Sequence, residues 1–182
     1  MLISTERLVL RRFRPDDAEV LAAYRSAPEV AVYQSWDAPY SLERARYAIE
    51  TMAEADPAAP GWFQYAVELK ADRTHIGDVG VNLDDNRMQA EIGYTIVPDQ
   101  QGHGYATEAV RAVLERLFTV QGLHKVSAEC DARNVASARL LERLGFTREG
   151  VLRRHTWVKG EWTDDLLYGL LEEDFFGVAT TA

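Results

Sequence analysis

Cysteine is almost missing from this chain: Cys130 is the single copy among 182 residues, so no disulfide can form within it. The alternation of Val126, Ala128 and Cys130 in KVSAEC reads as a buried strand position rather than a nucleophile. Histidine is scarce as well. Its four copies, His75, His103, His124 and His155, show no ligand spacing, so no metal site is expected. Long apolar runs are lacking and no basic-then-apolar leader opens the sequence, which predicts neither a membrane span nor a signal peptide and leads to the expectation of a cytoplasmic protein. Positive charge is short too. A net charge of -9 argues against general nucleic-acid binding, which needs a basic surface.

What is present fits one core. With 47% hydrophobic residues in 182, the chain can bury one substantial core and is short for two. One domain is expected over residues 1–176, with 177–182 as a frayed tail. The charge is unevenly spread: residues 133–159 hold seven basic and two acidic side chains, a balance of +5 that leaves -14 elsewhere. By itself this segment reads as a solvated helix and strand; beside an anion-binding loop it reads as local attraction for a polyanion.

Patterning predicts the elements. RLVLRRF (7–13) alternates as a strand and is followed by a helix opened by Pro15 and two aspartates. Ser41 caps a second helix. WFQYAVELK, HIGDVGVNL and MQAEIGYTIV form an antiparallel meander, the last two joined by the turn DDNR. After DQQGHGYATEA comes a helix with Val110, Val113, Leu114, Leu117 and Phe118 along one face, ending near Gly122. KVSAECD is a strand, Asn134 caps the next helix and Gly145 stops it. Two closing strands meet at KGEW.

Gly102 and Gly104, one residue apart before that helix, raise the question of what the loop holds. The NTPase phosphate loop is disfavoured, because Tyr105 and Ala106 stand where a lysine and hydroxyl are needed. The dinucleotide fingerprint needs a small residue at Thr107 within a parallel βαβ unit, and is disfavoured too. Two readings stand. Either the glycines only make a tight strand-to-helix connection, or they let successive N–H groups converge with the helix N-terminus on a diphosphate.

QGHGYA (101–106) fits the pattern Gln/Arg-x-x-Gly-x-Gly/Ala of the acetyl-coenzyme A loop in the GNAT family of N-acetyltransferases. Four blocks in order, TERLVLRRFRPDDAEVL, AEIGYTIVPDQQGHGYATEAV, NVASARLLERLGF and GEWTDDLLYGLL, resemble the branch containing the ribosomal-protein N-terminal acetyltransferases. The resemblance implies an α+β fold: a central, mostly antiparallel mixed sheet of about seven strands, splayed in the middle and flanked by about four helices. It implies acetyl-CoA as cosubstrate and no metal. Main-chain groups of Ile96 and Val97 would pair with the pantetheine arm. Gln101, Gly102, His103, Gly104, Tyr105, Ala106 and Thr107 would hold the pyrophosphate, with His103 either reaching a phosphate oxygen or facing water. Asn134 and Ser137 would meet the arm from the other side, with Arg133, Arg139 and Arg143 near the nucleotide. A homodimer is expected on resemblance alone.

Acetyl transfer to an amine needs a proton acceptor, an oxyanion donor and a proton for the departing thiolate. An alkyl ammonium with a pKa of roughly 10 must lose a proton first. Glu91 is the first candidate base: Ala90, Ile92, Tyr94 and Ile96 form one face of its strand and leave Glu91 on the other, where it is either that base or a solvent-facing glutamate. Asp84 and Asp85 are weaker candidates. A backbone N–H near Ile96 would face the oxyanion. Many GNAT enzymes carry a tyrosine in the helix after Asn134. This chain has none there, and Ser137 matches the serine of the resembling branch, as proton source for the sulfur or as an ordinary first-turn polar residue.

Tyr33, Trp36, Trp62 and Trp157 are candidate walls of an acceptor site. The acidic excess suits a cationic primary amine, either a protein N-terminus or a small molecule such as an aminoglycoside. Alternatives are an acyl-CoA-binding regulator without turnover, or a transferase for a larger acyl group such as succinyl, for which Arg153 and Arg154 would supply charge.

Overall fold

The alternation in RLVLRRF places Leu8 and Leu10, both fully buried, on the inner side of β2 (Leu8–Arg11). A two-residue β1 (Ile3–Ser4) precedes it. The computed structural model describes residues 2–179. A 3-10 turn at Pro15–Asp17 leads into α1 (Ala18–Ser26), followed by the single turn α2 (Pro28–Ala31) and by α3 (Leu42–Glu54). Ser41 caps α3 as expected, its Oγ accepting the Arg44 N–H at 3.1 Å. The meander is β3 (Gly61–Leu69), β4 (His75–Leu83) and β5 (Gln89–Ile96). Beyond it lie α4 (Tyr105–Thr119), β6 (Lys125–Asp131), α5 (Val135–Arg143), β7 (Thr147–Val158), β8 (Glu161–Leu171) and α6 (Glu172–Ala179).

The strands form one sheet in the order β1-β2-β3-β4-β5-β6-β8-β7. Every neighbouring pair is antiparallel except β5 with β6. Among the described residues there are eight strands and six α-helices, where about seven and about four were expected. The additions are β1, α2 and α6, the first two too short to carry a period. α6 docks through Phe175, whose ring centroid lies 5.2 Å from that of Phe118. The expected tail 177–182 overlaps the end of this helix, and residues 180–182 lie outside the described residues.

α4 packs its expected stripe onto one face of the sheet, with Val110, Val113 and Leu114 fully buried. Truncating a residue in such a position costs about 2–5 kcal/mol. α1 and α3 cover the other face through Leu21, Tyr24, Ala45 and Ile49. α5 ends in a Schellman motif: Gly145 has φ +95°, Phe146 N–H bonds the Leu141 carbonyl and Gly145 N–H bonds that of Glu142, both at 3.1 Å.

The feature that makes the site is a break in this sheet. β5 and β6 pair over four residues, from Gln89↔Lys125 to Ile92↔Ala128, and then part. Residues 93–96 and 129–131 continue as strands without each other. Gly77 lets β4 back this open stretch closely, because a Cβ there would stand 2.1 Å from the Thr95 carbonyl oxygen.

Candidate active site

A cavity of about 1170 Å³ occupies the opening and passes from one face of the sheet to the other. On the α4 side it meets the glycine loop. Gly102 and Gly104 both sit in the left-handed region, at φ +78° and +82°, so the connection does need glycines, and Gly104 is the N-cap of α4. It has no side chain to cap with. Among the described residues, no protein acceptor takes the N–H groups from Gly102 to Thr107, which leaves donors and the positive helix end facing outward. Gln101, Gly102, Gly104, Tyr105, Ala106 and Thr107 line the cavity. The exposed His103 does not line it; its ring stacks on Tyr105 at 5.7 Å.

The main chain of β5 divides differently from expectation. Val97 donates its N–H to the Ile76 carbonyl and accepts from Gln100 N–H, both at 2.9 Å, so both its groups are engaged within the protein. Antiparallel alternation then turns the groups of Gly93 and Thr95 toward β4, and those of Tyr94 and Ile96 toward the opening. The Ile96 carbonyl accepts from Gln101 Nε2 at 2.9 Å. Tyr94 and the Ile96 N–H, rather than Val97, therefore offer backbone partners to a chain lying in the gap. Gln101 acts on Ile96, a role its place in the loop pattern does not reveal.

Across the gap, Asn134 Oδ1 caps α5 by accepting the Ser137 N–H at 3.1 Å. This turns Ser137 toward β5, where its Oγ lies 2.8 Å from the Tyr94 hydroxyl. Burial pushes the Tyr94 phenol far above its ordinary value, so it stays protonated at neutral pH. Two hydroxyls, one from β5 and one from the first turn of α5, thus meet in the cavity wall. Cys130 is half-buried and also lines the cavity, which corrects its reading as a buried strand residue: its face is covered at Val126 and Ala128 and opens beyond them. Arg133, Arg139 and Arg143 all line the cavity, Arg133 pairing there with Asp131 and Glu161, each at 2.6 Å.

The opposite face is acidic. Glu91 is the register partner of Ser127, so Glu129, two residues along, projects from the same face. Asp131 continues that face and is paired in register with Asp165, so the face carries four carboxylates, of which Asp131 is closed by Arg133. Glu91, Glu129, Asp165 and the buried Asp78 all line the cavity, and among the described residues no ion pair reaches any of them. Burial, then the charges of Glu129 and Asp84, raises the pKa of Glu91. Burial and Asp165 raise that of Glu129, opposed by His155. Asp78 is raised by burial and is hydrogen-bonded by the Tyr24 hydroxyl.

Tyr33, Trp36 and Trp62 stand in the cavity wall. Trp36 is fixed there, donating Nε1–H to the Arg25 carbonyl at 2.9 Å under the Arg25 guanidinium, 4.7 Å from its ring. Trp157 lies outside, exposed against Trp162, and Arg153 and Arg154 are likewise outside on exposed β7. Asp84 and Asp85 stay in the exposed turn. The sequence reading missed Glu129, Asp165, Asp78 and the Tyr94 hydroxyl. Alternation carried a signal for Glu129, since Cys130 on one face puts Glu129 on the other. Among the described residues no cluster of His, Cys, Asp and Glu is arranged to hold a metal ion, and no helix is long and apolar enough to cross a membrane.

Comparison with known proteins accords with this geometry. The family model of the acetyltransferase (GNAT) domain matches residues 7–147. The N-acetyltransferase p20 of Bacillus licheniformis is 32% identical over 174 residues, covering 95% of this chain and 97% of its own. The ribosomal protein uS5-alanine N-acetyltransferase of Escherichia coli strain K12 is 33% identical over 84 residues, 46% of this chain and 43% of its own. A crystal structure of a GNAT-family acetyltransferase from Bacillus anthracis superposes with a TM-score of 0.86 at 29% identity, covering 95% of this chain and 99% of that one. With donors on one side of a split sheet and carboxylates on the other, in a chain matched over nearly its whole length, the protein belongs to the GNAT family of N-acetyltransferases, whose cosubstrate is acetyl-CoA.

Proposed function

We propose that this acetyltransferase transfers the acetyl group directly to the primary amine of a cationic acceptor, either a small molecule or a protein N-terminus. The observation that carries the reading is that the cavity carboxylates Asp78, Glu91, Glu129 and Asp165 make no ion pair among the described residues. Unpaired acids in a cleft attract a cation from outside. Glu91 takes the ammonium proton, directly or through water, and its raised pKa brings it nearer the working range of a general base. The neutral amine then attacks the thioester carbonyl in the gap. A main-chain N–H of Tyr94 or Ile96 faces the developing oxyanion. As the tetrahedral intermediate collapses, the carbon–sulfur bond breaks and the thiolate takes a proton from Ser137 Oγ. The Tyr94 hydroxyl passes its proton to Ser137, and solvent returns a proton to Tyr94 as Glu91 releases the ammonium proton to solvent. On the donor side, amides from Gly102 to Thr107 hold the diphosphate and the pantetheine arm lies against β5 as an added strand.

A screen of thiol release from acetyl-CoA tests this. Small polyamines, aminoglycosides and a peptide with a free N-terminal alanine serve as acceptors, beside a neutral hydroxylamine ether and acidic amino acids. Cationic acceptors are expected to give the highest kcat/KM. Equal rates with acidic amino acids would overturn the acceptor assignment, and no thiol above background with any amine would overturn turnover.

A further inference from the structure

Arg7 sits in the turn between β1 and β2, within the TERLVLR block, and is about a hundred residues from the loop in sequence. Its side chain nevertheless converges on that loop. Nε bonds Glu108 Oε2 at 2.7 Å, Nη1 bonds the His103 carbonyl at 3.0 Å, and the guanidinium lies 4.6 Å from the Tyr105 ring centroid. The Arg7 backbone N–H and the Thr5 hydroxyl both bond Glu108 Oε1, at 2.9 and 2.6 Å. Nη2 stays beside the loop: a Cβ added at Gly104 would meet it at 3.5 Å.

Two consequences follow from elementary chemistry. In a trans peptide the carbonyl and the next N–H point opposite ways, so drawing the His103 carbonyl toward Arg7 turns the Gly104 N–H away from it, outward. Glu108, in the first turn of α4, suits the helix dipole but repels a diphosphate bound at the same helix end. Hydrogen bonds from Thr5 and Arg7 hold its carboxyl below the ordinary value despite partial burial, so it is ionised and needs a counter-charge.

We infer that Arg7 is a positioning residue for the diphosphate of the acyl-CoA donor: it sets the direction of the loop amides and cancels the Glu108 charge that would otherwise repel the phosphates. This rests on the reading that Gly102–Thr107 grip a diphosphate. Glu108 is then the price of a stable helix start, and Arg7 is what makes that start compatible with an anion.

The test compares acetyl-CoA with acetyl-pantetheine, which lacks the diphosphate, using Arg7→Met, Arg7→Lys, Glu108→Gln and the double variant Arg7→Met/Glu108→Gln. Wild type should prefer acetyl-CoA in kcat/KM. Arg7→Met should lower that preference about tenfold or more through KM for acetyl-CoA, with kcat at saturation within about twofold. Arg7→Lys keeps a charge but cannot span both partners, and should fall between. The double variant should regain part of the loss, because the bare carboxylate is gone. Equal loss with both donors, or no regain in the double variant, would reduce Arg7 to a structural strut and overturn the inference. A wild type indifferent to the diphosphate would instead overturn the loop reading beneath it. Melting temperatures for each variant identify one that fails to fold; in that case Arg7→Lys and Glu108→Gln carry the comparison.

Discussion

Two groups of carboxylates share the α1–α3 side of the sheet and have opposite fates. Asp17 and Glu68 are buried around Arg11, which bonds Asp17 through Nη1 and Nη2 at 2.7 Å and Glu68 through Nε at 2.6 Å. Burial alone would raise the pKa of Asp17, but the bonds from Arg11 and from the Arg14 N–H bring it below the ordinary value. Glu91 and Glu129 have no such partner and are pushed the other way. The same residue type therefore serves as ballast where a guanidinium closes the charge, and is proposed as a reactive group where the charge is left open. The difference teaches that what matters is the neighbour rather than the acid.

Removing Arg11 should break the comparison most visibly. Arg11→Met strips the buried guanidinium from Asp17 and leaves Glu68 only the exposed Arg14 and Arg73, and should cost about 3 kcal/mol, read as a loss of unfolding free energy in urea. The pH dependence has a definite sign. His75 is buried and held below its ordinary 6.5, so stability present above that pH is lost as the unfolded state binds protons below it. Asp17 is held below its ordinary 3.8, so its contribution persists above that value and disappears as pH falls further. Denaturation midpoints from pH 8 to 3 should fall in these two stages, and a flat profile to pH 5 would contradict the first.

In the open group, Glu91→Gln should lower kcat by about 100-fold or more, with acetyl-CoA affinity within about twofold. The rate should rise with pH through an inflection above the usual carboxylate range, checked by kcat/KM against pH. Undiminished turnover would assign the base elsewhere. Next in size, Ser137→Ala and Tyr94→Phe should each lower kcat by about tenfold, and the double variant should be little worse than either, since a donor and its supplier act as a unit. Additive losses would separate them. Smallest of all, Glu129→Gln should leave the fold intact or stabilise it by up to about 1 kcal/mol by relieving repulsion, while weakening cationic acceptors in KM. That gain in melting temperature is the mirror image of the Arg11 loss.

Local signals in the chain were legible where one short segment sets its own geometry. Gly102 and Gly104, the Ser41 and Asn134 caps, the α4 stripe and the face carrying Glu91 all follow from periodicity and turn chemistry, and each stands where expected. Illegible were features that need two distant segments. Arg7 reaches the loop only because the turn between β1 and β2 lies over α4. The Tyr94 hydroxyl gains its meaning from Ser137, 43 residues on, and Val97 loses its expected role because Ile76 and Gln100 reach it first. Asp78 and Asp165 look like ordinary strand aspartates until the topology sets β4, β5, β6 and β8 side by side around one opening.

The four-residue seam joining β5 to β6 has a consequence for the life of the protein outside the reaction. Two halves of one sheet held by so short a ladder are an unfinished object, which a donor arm lying in the interval as proposed would complete. Mass action then ties resistance to heat and proteolysis to the donor supply: at a hundred times its dissociation constant, the donor adds about 2.7 kcal/mol. Stripping the donor away should therefore lower the melting temperature and quicken proteolysis of the otherwise unchanged chain.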